Sequence, residues 1–311
     1  MQIAVIIPCL NEEKTIKKVV QDFHRVLSSI EEKEIKYSIY VYDNNSIDNT
    51  VEEAKSAGAI VKIEKRKGKA NVIRKAFRDI NADYYIIVDG DDTYDAEAVK
   101  EIVKIIKSQH PDIINCIREE ITEAAYRKGH KIGNKILNKA VQIIFKNEFK
   151  DMLSGYKAMS KKFVKSFPVL SEGFDLEAEI AIHALELKCD IKYIKTRYKE
   201  RPHGSKSKLK TYKDGFKILK LILNLFRHEK PLTFYGIISI ILAIISVSLG
   251  IPVVKEFIET GKVPRFPTAI LASAIGIISV VFMAIGLIND TVTKGRKELK
   301  MIAFNIFEGG K

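Results

Sequence analysis

The sequence predicts an α/β domain built on a mostly parallel sheet flanked by helices. An interfacial amphipathic helix and a two-helix transmembrane hairpin follow it. Three observations carry that reading. Short apolar runs alternate with helical periodicity from residue 2 to about 116; a lysine-bearing amphipathic stretch comes just before residue 230; and two uncharged stretches fill most of residues 232–289.

Residues 3–7, 37–42, 60–63, 84–88 and 112–116 are apolar runs of strand length, and 12–30, 47–57, 69–80 and 95–108 repeat with a helical period. Repeated β–α units require a parallel sheet covered by helices. The first run, Ile3 to Leu10, is short, contains Pro8 and leads into Asn11-Glu12-Glu13, so it reads as a strand and not a secretion leader.

In DGFKILKLILNLFRH (214–228), Lys217, Lys220, Asn224 and Arg227 fall on one helical face amid apolar residues. Beside a membrane span, this is the pattern of a helix lying in the interface. Residues 232–254 and 266–289 carry no charge over 23 and 24 positions. Each makes a helix of roughly 35 Å, enough for a hydrocarbon core of about 30 Å. Their connection, KEFIETGKVPR, is less basic than the flanks, where Lys294, Arg296, Lys297 and Lys300 follow the second span. The positive-inside rule then predicts an integral membrane protein with both termini and the α/β domain cytoplasmic. The expected division is 1–210 α/β domain, 211–230 juxtamembrane, 231–290 hairpin and 291–311 basic tail.

The net charge is +13 over 311 residues, with basic residues crowded into 127–139 and 195–230. The second cluster leads into a membrane segment, which favours phosphates and lipid head groups over nucleic acid. Cys9, Cys116 and Cys189 lie far apart and fit no metal spacing, so free thiols are expected. Neither GxGxxG nor GxxxxGK[ST] occurs, which argues against dinucleotide oxidoreductases and P-loop NTPases.

Ligands on parallel sheets bind outside the carboxyl ends of the strands. There the chain reads PCLNE (8–12), YDNNSIDNT (42–50), KRKGKANVIR (65–74) and DGDD (89–92). Asp43 sits where an acceptor meets the N–H groups of a base; Asp48 and Thr50 suit a helix N-cap equally well. Gly68-Lys69 opening a helix suits a diphosphate. The stretch IIVDGDDTYD (86–95) crowds four aspartates after a buried strand, and like charges this close need a compensating cation. Asp89 and Asp91 fit a hard ion such as Mg²⁺ or Mn²⁺, Asp95 fits a helix cap, and Asp92 fits either.

In order, IIPCLNEE, YDNNSIDNT, GKANVIRKAF and the Asp89-Gly90-Asp91 motif resemble the family 2 glycosyltransferases, whose fold is GT-A (Rossmann-like). DMLSGYKAMSKKF (151–163), EGFDLEAEI (172–180) and RPHGSKSKL (201–209) are similar to the polyprenyl-phosphate branch, which includes dolichyl-phosphate glucose and mannose synthases. The resemblance implies that Pro8, Asn11, Glu12, Lys69 and Arg74 line the nucleotide pocket, with Asp43 on the base. It implies that Asp89, Gly90 and Asp91 hold Mg²⁺ or Mn²⁺ and the donor diphosphate. Family members often carry glutamine where this chain has Thr93. Arg118, Arg127, Lys131, Arg201, Ser207 and Lys208 would meet the lipid phosphate or the diphosphate, with Arg201 also serving catalysis. Ser154-Gly155-Tyr156 would border the sugar.

The implied reaction is inverting transfer of a sugar from a nucleotide sugar to a polyprenyl monophosphate, dolichyl or undecaprenyl. The segments after 151 look closer to enzymes using UDP-glucose or UDP-N-acetylglucosamine. A GDP-mannose-using synthase and a non-catalytic membrane subunit are the alternatives. Glu177 and Glu179 read either as helix-surface carboxylates or as groups orienting a sugar hydroxyl. A homo-oligomer, tetramers included, is compatible with the hairpin. The absence of tryptophan argues against a processive polysaccharide synthase, which would carry a QxxRW motif.

Overall fold

The computed structural model describes every residue except 31–34, 121–138, 140, 146–148, 171–175, 200–219, 221 and 308–311. The chain divides into two compact units, Met1–Ile218 with Lys300–Lys311, and Leu219–Leu299.

The first unit is a seven-stranded sheet in the order β3-β2-β1-β4-β6-β5-β7. Strand β1 (Gln2–Cys9) lies between β2 (Lys36–Asp43) and β4 (Tyr84–Ile87), parallel to both. Its near-continuous apolar run, buried from Ile3 to Ile7, is what a strand covered on both faces requires. β3 (Ile60–Ile63) forms one edge beside β2. β6 (Lys157–Ser160) runs antiparallel to β4 and to β5 (Ile113–Glu120), and β7 (Ile191–Tyr198) pairs parallel with β5. The sheet is therefore mixed, with β6 as its reversed strand. β6 and β7 lie beyond the region where the sequence announced β–α alternation.

Helix α1 (Ile16–Ser28) buries Ile16, Val19, Val20, Phe23, Val26 and Leu27, the three-and-four spacing of one helical face. α2 (Thr50–Ser56) and α3 (Lys69–Asp79) fall within the predicted segments, and α4 (Ala98–Gln109) runs one residue past its own. α4 ends at His110, which takes the left-handed cap conformation at φ 46°. α5 (Lys161–Ser166) is capped by Ser160, whose hydroxyl accepts the Phe163 N–H at 3.3 Å, and α6 is Leu176–Glu186. Cys9, Cys116 and Cys189 are all free.

His183 on α6 is buried between Phe163 and Phe167, with ring centroids 5.2 and 5.1 Å away, and its Nε2 meets Ser166 Oγ at 3.2 Å. Burial, reinforced by the Lys300 charge, holds this imidazole down at about 3. Lys300 itself pairs with Glu186. Between that value and the ordinary histidine range of about 6.5, the unfolded chain binds more protons than the fold does. Stability is therefore full above the ordinary range and falls on acidification toward 3, by up to about 1.4 kcal/mol per pH unit. Thermal unfolding from pH 7 to pH 4 should show this slope, and His183→Leu should flatten it. A slope unchanged by the substitution would contradict the assignment.

In the second unit, residues 222–229 are helical, and α7 (Pro231–Thr260) and α8 (Phe266–Ile306) follow. Proline opens α7 where its missing N–H costs nothing, and Gly261 ends it at φ 67°. Both helices are long and apolar enough to cross a membrane, with mean hydropathy 2.7 and 2.6 over their most apolar windows. They run past the predicted spans, α7 by continuing through KEFIET and α8 through the polar stretch to Ile306. They are antiparallel neighbours. Ser239 and Ser279 exchange hydroxyl-to-carbonyl hydrogen bonds of 2.9 and 2.8 Å, and Ser246 donates to the Ala272 carbonyl at 2.7 Å. Small polar residues of this kind join helices where water is absent. Of the predicted interfacial helix, residues 211–219 and 221 lie outside the described residues.

Candidate active site

The register aligns the carboxyl ends of β1, β2 and β3: Cys9 lies opposite Asp43, and Asp43 opposite Ile63. Two loops therefore emerge side by side and knit together. Asn11, left-handed at φ 54°, donates its N–H to Ser46 Oγ at 2.8 Å, and its Oδ1 accepts the Ile47 N–H at 2.9 Å. Glu12 N–H donates to Thr50 Oγ1 at 2.8 Å. Asp48 accepts the N–H groups of Glu13 (3.3 Å) and Thr50 (3.1 Å), so it braces the neighbouring loop as well as the start of α2.

Asp43 is buried and accepts both the N–H (3.0 Å) and the hydroxyl of Ser46. A carboxylate has about four acceptor positions, so these bonds leave capacity for a base. Pro8 is half-buried beside it, in register with Tyr42. Asn44 was invisible to the sequence reading. Its amide donates to the carbonyls of Glu64 (3.0 Å) and Arg66 (2.8 Å), and its Oδ1 accepts the Gly68 N–H (2.7 Å). One side chain thereby fixes the loop that presents Lys69.

Lys69 opens α3 and is the hub of the site. Its Nζ donates to Asp89 Oδ1 and to Glu177 Oε1, both at 2.6 Å. Burial pushes the ammonium down, but the two carboxylates outweigh it and hold it above the ordinary lysine range. Glu177 is thus in the site. Glu179 instead accepts the Leu170 N–H at 2.9 Å.

The aspartates of the DGDD turn separate by partner. Asp91 is 3% exposed, and its Oδ1 accepts the Thr93 hydroxyl at 2.6 Å. Asp92, left-handed at φ 57°, accepts Lys18 Nζ at 2.7 Å. Asp95 accepts the Glu97 N–H at 3.0 Å, just ahead of α4. A Cβ on Gly90 would lie 2.7 Å from Cys9 Sγ, so only glycine lets this turn settle onto β1. A Cβ on Gly155 would lie 2.1 Å from Asp89 Oδ2. Gly155 is held there by its N–H, which donates to the buried Tyr94 hydroxyl at 2.7 Å.

Behind Gly155 lies Lys157 on β6, buried in the sheet. Its Nζ donates to Asn115 Oδ1 at 2.6 Å and to the Met152 carbonyl at 3.3 Å. Burial lowers its pKa to about 8. Ser154, Gly155, Lys157, Lys69 and Glu177 line one small cavity. Asn115 also donates to the Lys150 carbonyl at 2.6 Å, and Arg118 pairs with Asp151 in a bidentate bridge of 2.9 and 2.6 Å. Burial raises the Asp151 carboxyl, but Arg118 outweighs it and holds the group below its ordinary value. The 150–157 segment is thus tied down from two sides.

Asp89, Asp91, Gly90, Lys69 and Gly155 therefore meet at the end of β4, with Pro8, Asn11, Glu12 and Asp43 on the adjoining strand ends. Arg74 donates to the Val169 carbonyl at 2.9 Å. Arg127, Lys131, Arg201, Ser207 and Lys208 lie outside the described residues. Among the described residues no three His, Cys, Asp or Glu side chains gather to hold a metal ion. The donor set of Asp89 and Asp91 is nonetheless hard oxygen, and Asp89 already accepts a cationic group at 2.6 Å.

Comparison with known proteins identifies the family. The model of "Glycosyl transferase family 2" matches residues 4–167. Glycosyltransferase AglJ of Haloferax volcanii is 27% identical over 305 residues, covering 96% of this chain and 97% of its own. The dolichol-phosphate mannosyltransferase of Pyrococcus furiosus is 25% identical over 198 residues, covering 58% of this chain and 53% of its own. Among solved structures, glucosyl-3-phosphoglycerate synthase from Mycobacterium tuberculosis, in complex with Mn²⁺ and UDP-glucose, superposes with a TM-score of 0.55. It is 19% identical, with 72% of this chain and 78% of that one covered. That likeness establishes the GT-A fold. With the family match spanning more than half of the chain, this protein belongs to glycosyl transferase family 2, enzymes that work on nucleotide-sugar donors.

Proposed function

We propose that the enzyme transfers a sugar from a nucleotide sugar, UDP-glucose or UDP-N-acetylglucosamine in preference to GDP-mannose, to a polyprenyl monophosphate at the membrane surface. The observation that carries this is the joining, in one chain, of the Lys69–Asp89–Glu177 cluster with two helices long and apolar enough to cross a bilayer. The name of the Pyrococcus relative, a dolichol-phosphate mannosyltransferase, supports a lipid-linked acceptor. In this reading residues 1–210 are catalytic, 211–230 lie in the interface, 231–290 anchor the enzyme, and both termini are cytoplasmic.

An acceptor phosphate oxygen attacks the anomeric carbon while the bond from that carbon to the diphosphate breaks, and the electron pair leaves with the nucleoside diphosphate. The carbon is inverted in one displacement. A phosphate monoester is already anionic near neutral pH, so it needs orientation and a positive cradle more than a general base. Asp89 and Asp91 would hold Mg²⁺ or Mn²⁺ against the donor diphosphate, and such an ion supplies Lewis-acid stabilisation of the leaving group. Lys69, at the positive end of α3, faces the same developing charge. Pro8, Asn11, Glu12 and Asp43 receive the nucleoside, and Ser154 and Gly155 border the sugar. Arg118 is committed to Asp151, so it braces that border, and the phosphate cradle falls to Arg127, Lys131, Arg201, Ser207 and Lys208.

A donor panel tests this reading. Membranes holding the full-length protein are given labelled UDP-glucose, UDP-N-acetylglucosamine and GDP-mannose with Mn²⁺ or Mg²⁺, and the lipid fraction is extracted. Label from a UDP-sugar is expected. Label from GDP-mannose alone would replace the donor assignment with that of a mannose synthase, and no lipid-bound label from any donor would overturn the lipid acceptor.

A further inference from the structure

Asp89 presents its two oxygens to different neighbours. Oδ2 lies against the backbone of Gly155, so close that a Cβ there would sit 2.1 Å away. Oδ1 accepts the Lys69 ammonium at 2.6 Å. A metal ion arriving at this carboxylate therefore meets one that already holds a cation, Lys69. Glu177 draws the same ammonium from the other side at 2.6 Å. Asn44 fixes the Gly68 N–H, and so the base of the lysine, at 2.7 Å. The lysine is clamped at both ends.

A divalent ion bound to the same carboxylate would face the Lys69 charge across that group, and like charges that close repel strongly. A diphosphate removes the conflict, because its oxygens accept both the ammonium and the metal. We infer that Lys69 is a built-in counter-ion for Asp89 that couples metal binding to donor binding. The ion alone must displace a cation, whereas the ion arriving with a diphosphate transfers Lys69 from Asp89 to phosphate. Glu177 is the positioning residue that keeps the ammonium beside the exchange point. This inference rests on the proposed metal-assisted donor site, and it adds the order and cooperativity of loading.

The test is Mn²⁺ binding to the full-length protein in lipid nanodiscs, followed by electron paramagnetic resonance with and without UDP. Wild type is expected to bind Mn²⁺ weakly alone and at least tenfold more tightly with UDP. Lys69→Met should bind Mn²⁺ alone at least tenfold more tightly than wild type, and its gain from UDP should shrink correspondingly. Lys67→Met, which removes one charge from the same exposed loop without touching Asp89, should leave both values within about threefold of wild type. Circular dichroism confirms the fold of each variant, and Lys69→Gln repeats the measurement if the methionine variant is unfolded. Equal effects of the Lys67 and Lys69 substitutions, or no tightening in Lys69→Met, would overturn the counter-ion role while leaving the donor site standing. Failure of wild type to bind Mn²⁺ with either UDP or GDP would instead overturn the metal-assisted site itself.

Discussion

Asp91→Asn is expected to cut sugar transfer by about 10²–10³-fold while the protein stays folded. The substitution is isosteric, and the carboxamide oxygen still accepts the Thr93 hydroxyl that Asp91 accepts at 2.6 Å. What disappears is one of the two negative charges that, in the proposed reading, would hold a cation against the departing diphosphate. Steady-state turnover, read with a thermal melt, separates this loss from unfolding. Asp92→Asn is the matched control one residue away. That carboxylate belongs to an ion pair with Lys18, whose side chain is 54% exposed, and exposed pairs contribute at most about 1 kcal/mol. Its substitution should leave turnover within a few-fold of wild type. Equal losses at the two positions would mean that the turn acts only through its shape. Turnover within tenfold of wild type in Asp91→Asn would remove the metal assignment.

Gly155→Ala is expected to act on Asp89 without adding or removing a charge. The added Cβ would meet Asp89 Oδ2 at 2.1 Å and Cγ at 2.8 Å, far inside contact distance. Gly155 cannot withdraw easily, because its N–H is bonded to Tyr94 and the next residue, Tyr156, is fully buried against Tyr94 and Phe23. The carboxylate must therefore rotate away, with a stability cost of about 1–3 kcal/mol from overpacking. Turnover should fall at least a hundredfold, close to the value for Asp89→Ala, and the two substitutions combined should cost little more than either alone. Gly236→Ala, where a Cβ meets nothing within 4 Å, should be silent. Full activity in Gly155→Ala would show that Asp89 needs no fixed orientation.

The parts of this architecture that the sequence announced are those carried by local pattern. β1 to β5 are apolar runs bounded by turns, and α1 to α4 repeat with the helical period, so each could be placed within a few residues. β6 escaped because its four residues, Lys157 to Ser160, begin with a lysine that would ordinarily lie in solvent. Only its buried acceptors, Asn115 at 42 positions' distance and the nearby Met152 carbonyl, make it a core residue. The acidic turn and the place of Asp95 ahead of α4 were legible, but the partners of Asp92 and Glu177 were not. Asp92 is decided by Lys18, 74 positions away, and Glu177 by Lys69, 108 positions away. Asn44 and Tyr94 left no local signal, because each acts on a loop that only the fold brings near. Ser154-Gly155-Tyr156 was legible only by resemblance, and the reason for its glycine is steric.

The acceptor decides the central claim most directly. Purified full-length protein, reconstituted in liposomes with polyprenyl monophosphate and given a labelled nucleotide sugar with Mn²⁺, should yield one acid-labile lipid. In it the sugar is joined through phosphate and the anomeric configuration is opposite to the donor's. Matched reactions replace the lipid with polyprenol, which lacks the phosphate, or with 3-phosphoglycerate, which lacks the membrane tail. Transfer to the lipid phosphate alone is the expected result. Transfer to 3-phosphoglycerate or polyprenol with none to polyprenyl phosphate, or a product with retained configuration, would contradict it.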